Sequence, residues 1–513
     1  MQQSFTNNYI LIYFFQILSI ALGFASMFIV TPALSSNPTV YGIYFVCTSI
    51  TIFFSYADFG FLGAGMKFAA EYYAKNERKK ELEMIGFSHF ILLITVLIIS
   101  MGFLVLSFNP SWLIKDIPSE IEKNIAQKLL LILAIFSPTI VLQRMVQMIY
   151  NIRLQEYKVL RISIIGNIVR ILSVFFFFNS ERYDIVGFYF TFNVINLLVV
   201  IINLAQANRN FHIKISEIFA NLRFKRIIFH QIKHLAFSTI IGTLLWIIFY
   251  ELDSIVIGRT LGPEAVAMYA IGLTLLGFIR SMLGVFFSPF AARFNHFIGL
   301  GKEEELKHFY LFIIEIMFFI VVLPLLSIAL MAKPITISWV GEQYIESIPI
   351  VVMLVLCNIL AFIQYPASNL IIAKQQMKAI YITNGVLPLV YWVGVIATIQ
   401  SLGIYSFPLF KLIAFIVVGF IYIYYTVKFL EITIWNFMKK IILPYLPAIS
   451  FTICMLTAVS KLISMERSSK DLLLCGSIIF ATIIISFIIS LYTVKPLKEY
   501  AIVFWRKFAI FNK

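Results

Sequence analysis

Apolar runs of about 20 residues follow one another along the whole chain, and each is long enough to cross a hydrocarbon core of roughly 30 Å as an α-helix. Lipid offers no partner for a backbone N–H or C=O group, so such runs are expected to be helical. The pattern predicts an all-α polytopic membrane protein with about fourteen transmembrane helices, at 9–31, 41–64, 85–108, 127–150, 162–179, 186–206, 236–257, 265–289, 309–331, 348–372, 379–400, 404–427, 440–463 and 471–494.

Composition excludes a soluble globular protein. Hydrophobic residues make up 61% of the chain and charged residues 13%, with a mean hydropathy of +0.94, whereas soluble domains carry about 25% charged residues. No basic residue precedes the first apolar run. That run is therefore expected to be retained as a helix and not to be cleaved as a signal peptide.

Basic residues indicate the orientation in the membrane. Lys and Arg collect in the connections after the even-numbered spans and in the C-terminal tail, and basic flanks stay on the cytoplasmic side during insertion. Both termini are therefore predicted to be cytoplasmic. The net charge of +15 is explained by this topology and by contact with anionic membrane lipids, so no nucleic-acid partner is expected.

The chain contains an internal repeat at an offset of about 220 residues, a feature of many transporters. Short matches keep one order in both copies, namely Pro38 and Tyr44 with Pro263 and Tyr269, Phe68–Glu71 with Phe290–Arg293, and Asn151 with Asn369. The offset covers an even number of spans, so both copies enter the membrane in the same direction. Such a pair is expected to enclose a central cavity and to work by alternating access.

The repeat gives a domain organisation of two parallel six-helix bundles plus two C-terminal helices. The predicted parts are an N-terminal bundle at 1–206, a basic cytoplasmic connection at 207–235, a C-terminal bundle at 236–430, and two extra helices with a basic cytoplasmic tail at 431–513.

Charged residues inside the predicted spans are candidates for lining a polar cavity, because a charge left facing lipid costs roughly 2.5–3.5 kcal/mol or more. These candidates for substrate or ion binding are Asp58, Arg144, Arg170, Glu251, Asp253, Arg280 and Lys411. Arg170 and Arg280 lie deepest in their spans, and a guanidinium can donate two parallel hydrogen bonds to a diphosphate. The acidic residues are candidates for H⁺ or Na⁺ coupling. Structural pairing with the arginines is the alternative.

The sequence offers no motif for metal binding or catalysis. The four cysteines, Cys47, Cys357, Cys454 and Cys475, lie in apolar spans without paired spacing, so neither a metal nor another cofactor is expected. The outward connections are short, and the chain has no nucleophile elbow or nucleotide-binding loop. The prediction is therefore that the protein is not an enzyme.

Two stretches and the fourteen-helix plan resemble a known family. ADFGFLGAGMKFAAEYYAKNERKKE begins at Ala57 and YELDSIVIGRTLGPEAVAMYAIG begins at Tyr250. The chain resembles the Wzx-type polysaccharide flippases of the multidrug/oligosaccharidyl-lipid/polysaccharide exporter superfamily. The resemblance implies export of undecaprenyl-diphosphate-linked oligosaccharide across the bacterial inner membrane, driven by an ion gradient, for O-antigen or capsule synthesis. It also implies a polysaccharide polymerase and a chain-length regulator as candidate partners.

Two other functions remain open. An ion-coupled multidrug antiporter of the same superfamily would share the bundles, but it usually has twelve spans, and an acidic cavity would suit its cations. A membrane-embedded polymerase or transferase is disfavoured by the short outer connections and by the repeat. Lipid II flippases carry cavity arginines in their first helices, whereas the first span here has no charge, which disfavours lipid II as the cargo.

Overall fold

A computed structural model describes residues 2–179, 181–463, 466–494 and 497–498. This part of the chain is almost entirely helical, and its one sheet is a two-stranded antiparallel hairpin of β1 (Phe178–Asn179) and β2 (Arg182–Tyr183). Most of the basic tail predicted after the last helix lies outside the described residues.

The chain forms two compact units, Met1–Ala267 and Met268–Lys513. The helices of the first unit are α1 (Gln2–Leu34), α2 (Pro38–Ser49), α3 (Phe61–Ala74), α4 (Arg78–Phe108), α5 (Glu120–Phe136), α6 (Thr139–Ile152), α7 (Glu156–Phe177), α8 (Ile185–Phe211), α9 (Ile215–Ala220), α10 (Arg226–Tyr250) and α11 (Asp253–Thr260).

The second unit begins within helix α12, whose first residues belong to the first unit. Its helices are α12 (Pro263–Gly299), α13 (Glu303–Leu330), α14 (Ala332–Val340), α15 (Ile348–Leu356), α16 (Ala361–Ala373), α17 (Met377–Leu402), α18 (Ser406–Leu430), α19 (Ile434–Phe437), α20 (Leu446–Leu462) and α21 (Ser469–Thr493). Short 3₁₀ turns lie at Ile50–Ser55, Pro110–Trp112, Glu342–Ser347, Gly403–Tyr405 and Leu443–Tyr445, and a π-helical turn lies at Met438–Ile442.

Within the described residues, nine helical stretches are long and apolar enough to cross a membrane, or twelve if each bent helix pair is one span. One of these stretches, 377–430, consists of two helices, α17 and α18, that pack against each other. The shorter apolar helix 38–54 is the remaining predicted span. Each predicted span therefore falls on a helix or on consecutive helices, and the all-α polytopic fold is confirmed.

Some spans that were predicted as single helices are broken. The second span is interrupted between the 3₁₀ turn after α2 and the start of α3, where Phe59 has φ 49° and Gly60 has φ 80°. A left-handed backbone cannot continue a right-handed helix, and glycine adopts it without steric cost. The expectation of a continuous helix across Asp58 is therefore wrong.

The fourth span bends by 43° between α5 and α6. Pro138 at the bend has no N–H group to donate to the carbonyl oxygen of Ala134, four residues earlier. The hydroxyls of Ser100 and Ser137 donate to this oxygen instead, at 2.6 and 3.0 Å. The break thus keeps its backbone satisfied, as irregular structure at membrane depth requires. The tenth span, α15 with α16, bends by 40°.

The predicted connection 207–235 is packed into the first unit. Ile213, Ile218 and Ile232 are buried in one core with side chains of α3, α4, α6 and α8. A Cβ atom on Gly86 of α4 would lie 2.5 Å from the carbonyl oxygen of Asn221, so only glycine permits this approach. The Lys225 ammonium adds an ion pair with Glu83 at 3.1 Å.

Each unit carries an ion pair over an aromatic ring at its predicted cytoplasmic end. In the N-terminal clasp, Arg153 Nη2 lies 2.6 Å from Glu81 Oε1, and its guanidinium lies 5.0 Å from the ring centre of Phe211. In the C-terminal clasp, Lys374 Nζ lies 2.7 Å from Glu303 Oε1 and 4.4 Å from the ring centre of Phe429. In both clasps the acidic residue lies at the start of one helix, and the cation and the ring lie at the ends of two later helices.

Candidate functional site

The first unit contains a polar cavity of about 370 Å³ among its membrane-spanning helices. Polar groups are costly at membrane depth unless they face a wet cavity or each other. Their collection at one place therefore marks this cavity as the candidate site. The polar side chains that line it are Tyr44, Thr48, Thr51, Ser137, Thr139, Gln143, Arg144, Gln147, Asn193 and Asn196.

One wall of the cavity is a polar face of α6. Thr139, Gln143 and Gln147 follow one another at a spacing of four residues, which places them on one side of a helix, and Arg144 lies beside them. Arg144 Nη1 is 3.5 Å from Gln147 Oε1, to which it donates a hydrogen bond. The bend at Pro138 turns this face away from the direction of α5 and opens space next to Ser137 and Thr139.

Arg170 of α7 lines a second cavity of about 200 Å³. Its Nη1 donates to Asn196 Oδ1 at 3.0 Å, and its guanidinium lies 4.6 Å from the ring centre of Phe192. Asn196 and Phe192 are four residues apart on α8, so one helix face holds the whole guanidinium. Tyr44 and Phe192 line both cavities, which makes the two cavities neighbours.

Aromatic rings separate the two arginine sites. Tyr44 meets Tyr189 edge to face with ring centres 5.6 Å apart, and Tyr189 stacks with Phe192 at 6.3 Å. The Asn193 amide donates to the backbone oxygen of Tyr189 at 2.8 Å. Arginines, amides and flat rings are the side chains that bind phosphates and sugars, so the arrangement can accept an anionic, hydroxyl-rich head group.

Asp58 lies in the turn before α3. Its Oδ2 accepts a hydrogen bond from the N–H of Leu62 at 3.0 Å, so the carboxylate satisfies one of the free donors at a helix N-terminus. The charge of Arg144 also acts on it.

Glu251 and Asp253 lie at the junction of α10 and α11. Asp253 is buried at the first position of α11, and Glu251 is half-buried just after α10. Helix α11 packs on α2, and nearby the Thr39 hydroxyl donates to Glu264 Oε1 at 3.1 Å. Neither Asp58 nor this pair is among the described residues that line the two cavities.

Arg280 and Lys411 belong to the second unit. Lys411 of α18 is completely buried, and its Nζ lies 5.1 Å from the ring centre of Tyr391 of α17. Arg280 of α12 is half-buried, and its charge acts on the hydroxyl of Tyr365, a ring that stacks on Phe287 at 4.9 Å. The structure thus brings Arg144 and Arg170 to adjoining cavities of the first unit and places these two cations elsewhere.

Sequence reasoning missed the uncharged members of the site. Tyr44, Gln143, Gln147, Asn193 and Asn196 carry no charge, so a search for charged residues in apolar spans passes over them. Their signal is the spacing of polar residues by three or four positions within apolar helices, which places them on one face. In the part of the chain that the structure describes, no three His, Cys, Asp or Glu side chains group as metal ligands.

A multi-pass helical membrane protein with a polar cavity among its spans has the architecture of a transporter. The chain belongs to the polysaccharide biosynthesis protein family, whose model matches residues 5–293. No curated protein sequence matches it.

Solved structures show which fold the chain adopts. The lipid II flippase MurJ in an inward closed conformation matches with a TM-score of 0.68 and 16% identity, over 94% of this chain and 98% of that one. An inward-facing multidrug resistance MATE family transporter of the MOP superfamily matches with a TM-score of 0.53 and 14% identity, over 80% and 94%. A MOP superfamily transporter from Pyrococcus furiosus matches with a TM-score of 0.52 and 15% identity, over 81% and 95%. These likenesses confirm the fold that the resemblance noted from the sequence implies.

Proposed function

We propose that this protein is a flippase that moves a polyprenyl-diphosphate-linked oligosaccharide from the cytoplasmic to the outer leaflet of the bacterial inner membrane, for O-antigen or capsule synthesis. The observation that carries the proposal is the pair of arginines, Arg144 and Arg170, at adjoining polar cavities inside a chain of the polysaccharide biosynthesis protein family. Lipid II is disfavoured as the cargo, because α1 contains no charged residue.

The proposed binding mode follows from the chemistry of the lining. A diphosphate accepts charge-assisted hydrogen bonds from guanidinium groups, and Arg170 is already oriented by Asn196 and Phe192. The amides of Gln143, Gln147 and Asn193 offer donors and acceptors for sugar hydroxyls. A polyprenyl chain is as apolar as the bilayer, so it stays in lipid while the head group crosses.

Alternating access would carry the head group across, with H⁺ or Na⁺ as the coupling ion. Asp58, Glu251 and Asp253 are the proposed carboxylates for this step, because a carboxylate can bind either ion. Both termini would be cytoplasmic, and a polysaccharide polymerase and a chain-length regulator would act on the exported product. The protein itself would catalyse no covalent step.

The test is to delete the gene in its own bacterium and to measure lipid-linked oligosaccharide and surface polysaccharide together, by mass spectrometry and immunoblot. We expect repeat units to accumulate on the lipid while surface polymer disappears, and the wild-type gene to restore both. An Arg144→Ala, Arg170→Ala double variant that reaches the membrane at the wild-type level should fail to restore them.

Two outcomes would replace the proposal. Unchanged lipid-linked repeat units with altered sensitivity to cationic drugs would indicate the multidrug antiporter. Accumulation of finished polymer precursors in the outer leaflet, with normal translocation, would indicate a polymerase or transferase.

A further inference from the structure

A groove of about 600 Å³ lies on the outer surface of the first unit, between α5 and α8. Ile125, Leu131 and Ile132 of α5 form one side, and Val186 and Phe190 of α8 form the other. Leu131 and Phe190 are 40% and 49% exposed. In a membrane these side chains face hydrocarbon. The lining residues of α5 cover about 10 Å of helix, so the α5–α8 groove can hold a segment of an apolar chain.

The α5–α8 groove also has a polar part. It is lined by Lys128 of α5 and by the hairpin residues Tyr183 and Asp184. Asp184 already accepts from the N–H of Gly187 at 2.7 Å and pairs with Arg182 at 2.7 Å. Among the described residues, no carboxylate pairs with the exposed Lys128. The groove thus combines an apolar lining with one cation, which is complementary to a lipid that carries a phosphate.

The groove and the polar cavity share both helices. On α5, Ile132 lines the groove and Leu133 lines the cavity, and on α8, Phe190 lines the groove and Tyr189 lines the cavity. Neighbouring residues of a helix point to different sides. The α5–α8 pair is therefore a wall between lipid and the arginine-lined cavity.

Two aromatic rings meet within this wall. Phe136 lines the cavity and Phe190 lines the groove, and the rings meet edge to face with centres 5.7 Å apart and an interplanar angle of 82°. Phe136 is the last residue of α5, directly before the bend at Ser137 and Pro138. The position of the Phe136 ring relative to Phe190 therefore depends on the angle of this bend.

We infer that the α5–α8 groove holds the polyprenyl chain of the substrate, and that the Phe136–Phe190 pair closes the lateral passage between this chain and its head group in the cavity. The inference rests on the proposed function and adds the place where the lipid tail lies. Lys128, near the predicted outer end of α5, receives the diphosphate when the head group leaves the cavity.

The occupant of the groove is tested by photo-crosslinking. The purified full-length protein, with p-benzoylphenylalanine at Leu131 or, as a control, at the lipid-facing Phe175 of α7, which is 63% exposed, is placed in vesicles of phosphatidylethanolamine and phosphatidylglycerol that contain radiolabelled undecaprenyl diphosphate. We expect labelling from position 131 well above that from position 175.

Lysine variants on the same helix sharpen this test. Lys128→Gln should lower the labelling about fivefold, the effect of one lost lysine–phosphate contact. Lys123→Gln, whose lysine pairs with Glu120 at 3.1 Å, should leave it unchanged. Equal labelling at positions 131 and 175, or crosslinks to phospholipid alone, would show that the groove is ordinary lipid-facing surface.

The passage is tested by joining its two sides. Phe136→Cys and Phe190→Cys, in a chain whose exposed Cys454 is replaced by Ser, are linked in cells with a short bis-methanethiosulfonate reagent. Export by this double variant is compared before linking, after linking and after reduction of the linker's disulfides, and it should stop on linking and recover on reduction. Continued export with the pair joined would refute the passage.

The two proposals fail separately. Crosslinking in vesicles requires no transport, so a labelled groove in a protein whose deletion leaves repeat units unchanged would refute the flippase alone. A deletion strain that accumulates repeat units, with an unlabelled groove, would refute the groove alone.

Discussion

In the first unit the Glu81–Arg153 pair is almost completely buried, with side-chain exposures of 2% and 6%, whereas the corresponding Glu303–Lys374 pair of the second unit has exposures of 61% and 27%. The cations inside the membrane show the opposite contrast. Arg170 is half-buried and lines a cavity, while Lys411 is completely buried. Both rest on an aromatic ring of a neighbouring helix, Phe192 and Tyr391 respectively.

The difference leads us to expect that charged side chains serve different purposes in the two units. A buried ion pair has lost its hydration, so each partner depends on the other. In a solvated pair, each charged group exchanges contacts with water for a contact with its partner. Such a pair contributes little to the free energy of unfolding. We therefore expect the first clasp to contribute more to stability than the second. We also expect Arg170, which lines a cavity, to be available to a ligand, and the buried Lys411 to act in packing.

The largest effect is expected for Glu81→Ala. This change leaves the Arg153 guanidinium buried without its carboxylate, which costs about 3–5 kcal/mol. The folded yield and the melting temperature of the purified protein in detergent should both fall, as measured by fluorescence-detected size-exclusion chromatography. The double variant Glu81→Leu, Arg153→Met should recover much of the loss, because it leaves no unpaired charge. Equal melting of Glu81→Ala and Glu303→Ala would contradict the contrast between the clasps.

Arg170→Ala should reduce export roughly tenfold or more, since a charge-assisted hydrogen bond to a phosphate contributes about 1.5–3 kcal/mol. The melting temperature should stay near that of the wild type, because the side chain borders a cavity. Arg170→Lys should give an intermediate loss, because lysine keeps the charge and lacks the planar fork. Accumulated lipid-linked oligosaccharide, normalised to the amount of protein in the membrane, is the measurement. Export at the wild-type level in the alanine variant would remove Arg170 from the site.

Lys411→Ala should lower stability by about 1–3 kcal/mol, because it empties buried space beside Tyr391. Export per folded molecule is the discriminating measurement. If it falls as far as it does in Arg170→Ala, Lys411 belongs to the substrate or ion pathway and the contrast between the two cations is lost.

Glu303→Ala is expected to have the smallest effect. Its carboxylate is solvated, so the melting temperature should change little, and the change should vanish as salt screens the Lys374 charge. A salt-independent loss as large as that of Glu81→Ala would show that the second clasp is structural after all.

The sequence predicts the membrane fold well, because the hydrocarbon core imposes one length and one secondary structure on every span. It also identifies Arg144 and Arg170, because a charge stands out in an apolar run. The breaks at Gly60 and Pro138 are harder to predict, since both residue types also occur inside membrane helices, where neighbouring groups satisfy the freed backbone.

Contacts between distant residues escape sequence reasoning for a different reason. Glu81 and Arg153 are 72 residues apart, and nothing in their local sequence distinguishes this pair from the solvated Glu303–Lys374 pair. The uncharged cavity residues Gln147 and Asn196 are likewise recognisable only when α6 and α8 are seen to face one space. Which side chains are buried and which charges pair depends on how whole helices pack, and the local sequence does not show this packing.

The packing of the 207–235 connection into the first unit also determines when this unit can finish folding during synthesis. The core of the first unit includes Ile213, Ile218 and Ile232, so the unit cannot complete its packing when its sixth predicted span leaves the ribosome. At about 5–20 residues per second, the remaining stretch to Ala236 takes roughly 1.5–6 s more to synthesise. During this interval the side chains that later pack against the connection stay uncovered, which is when the nascent chain is most exposed to proteolysis and misassembly.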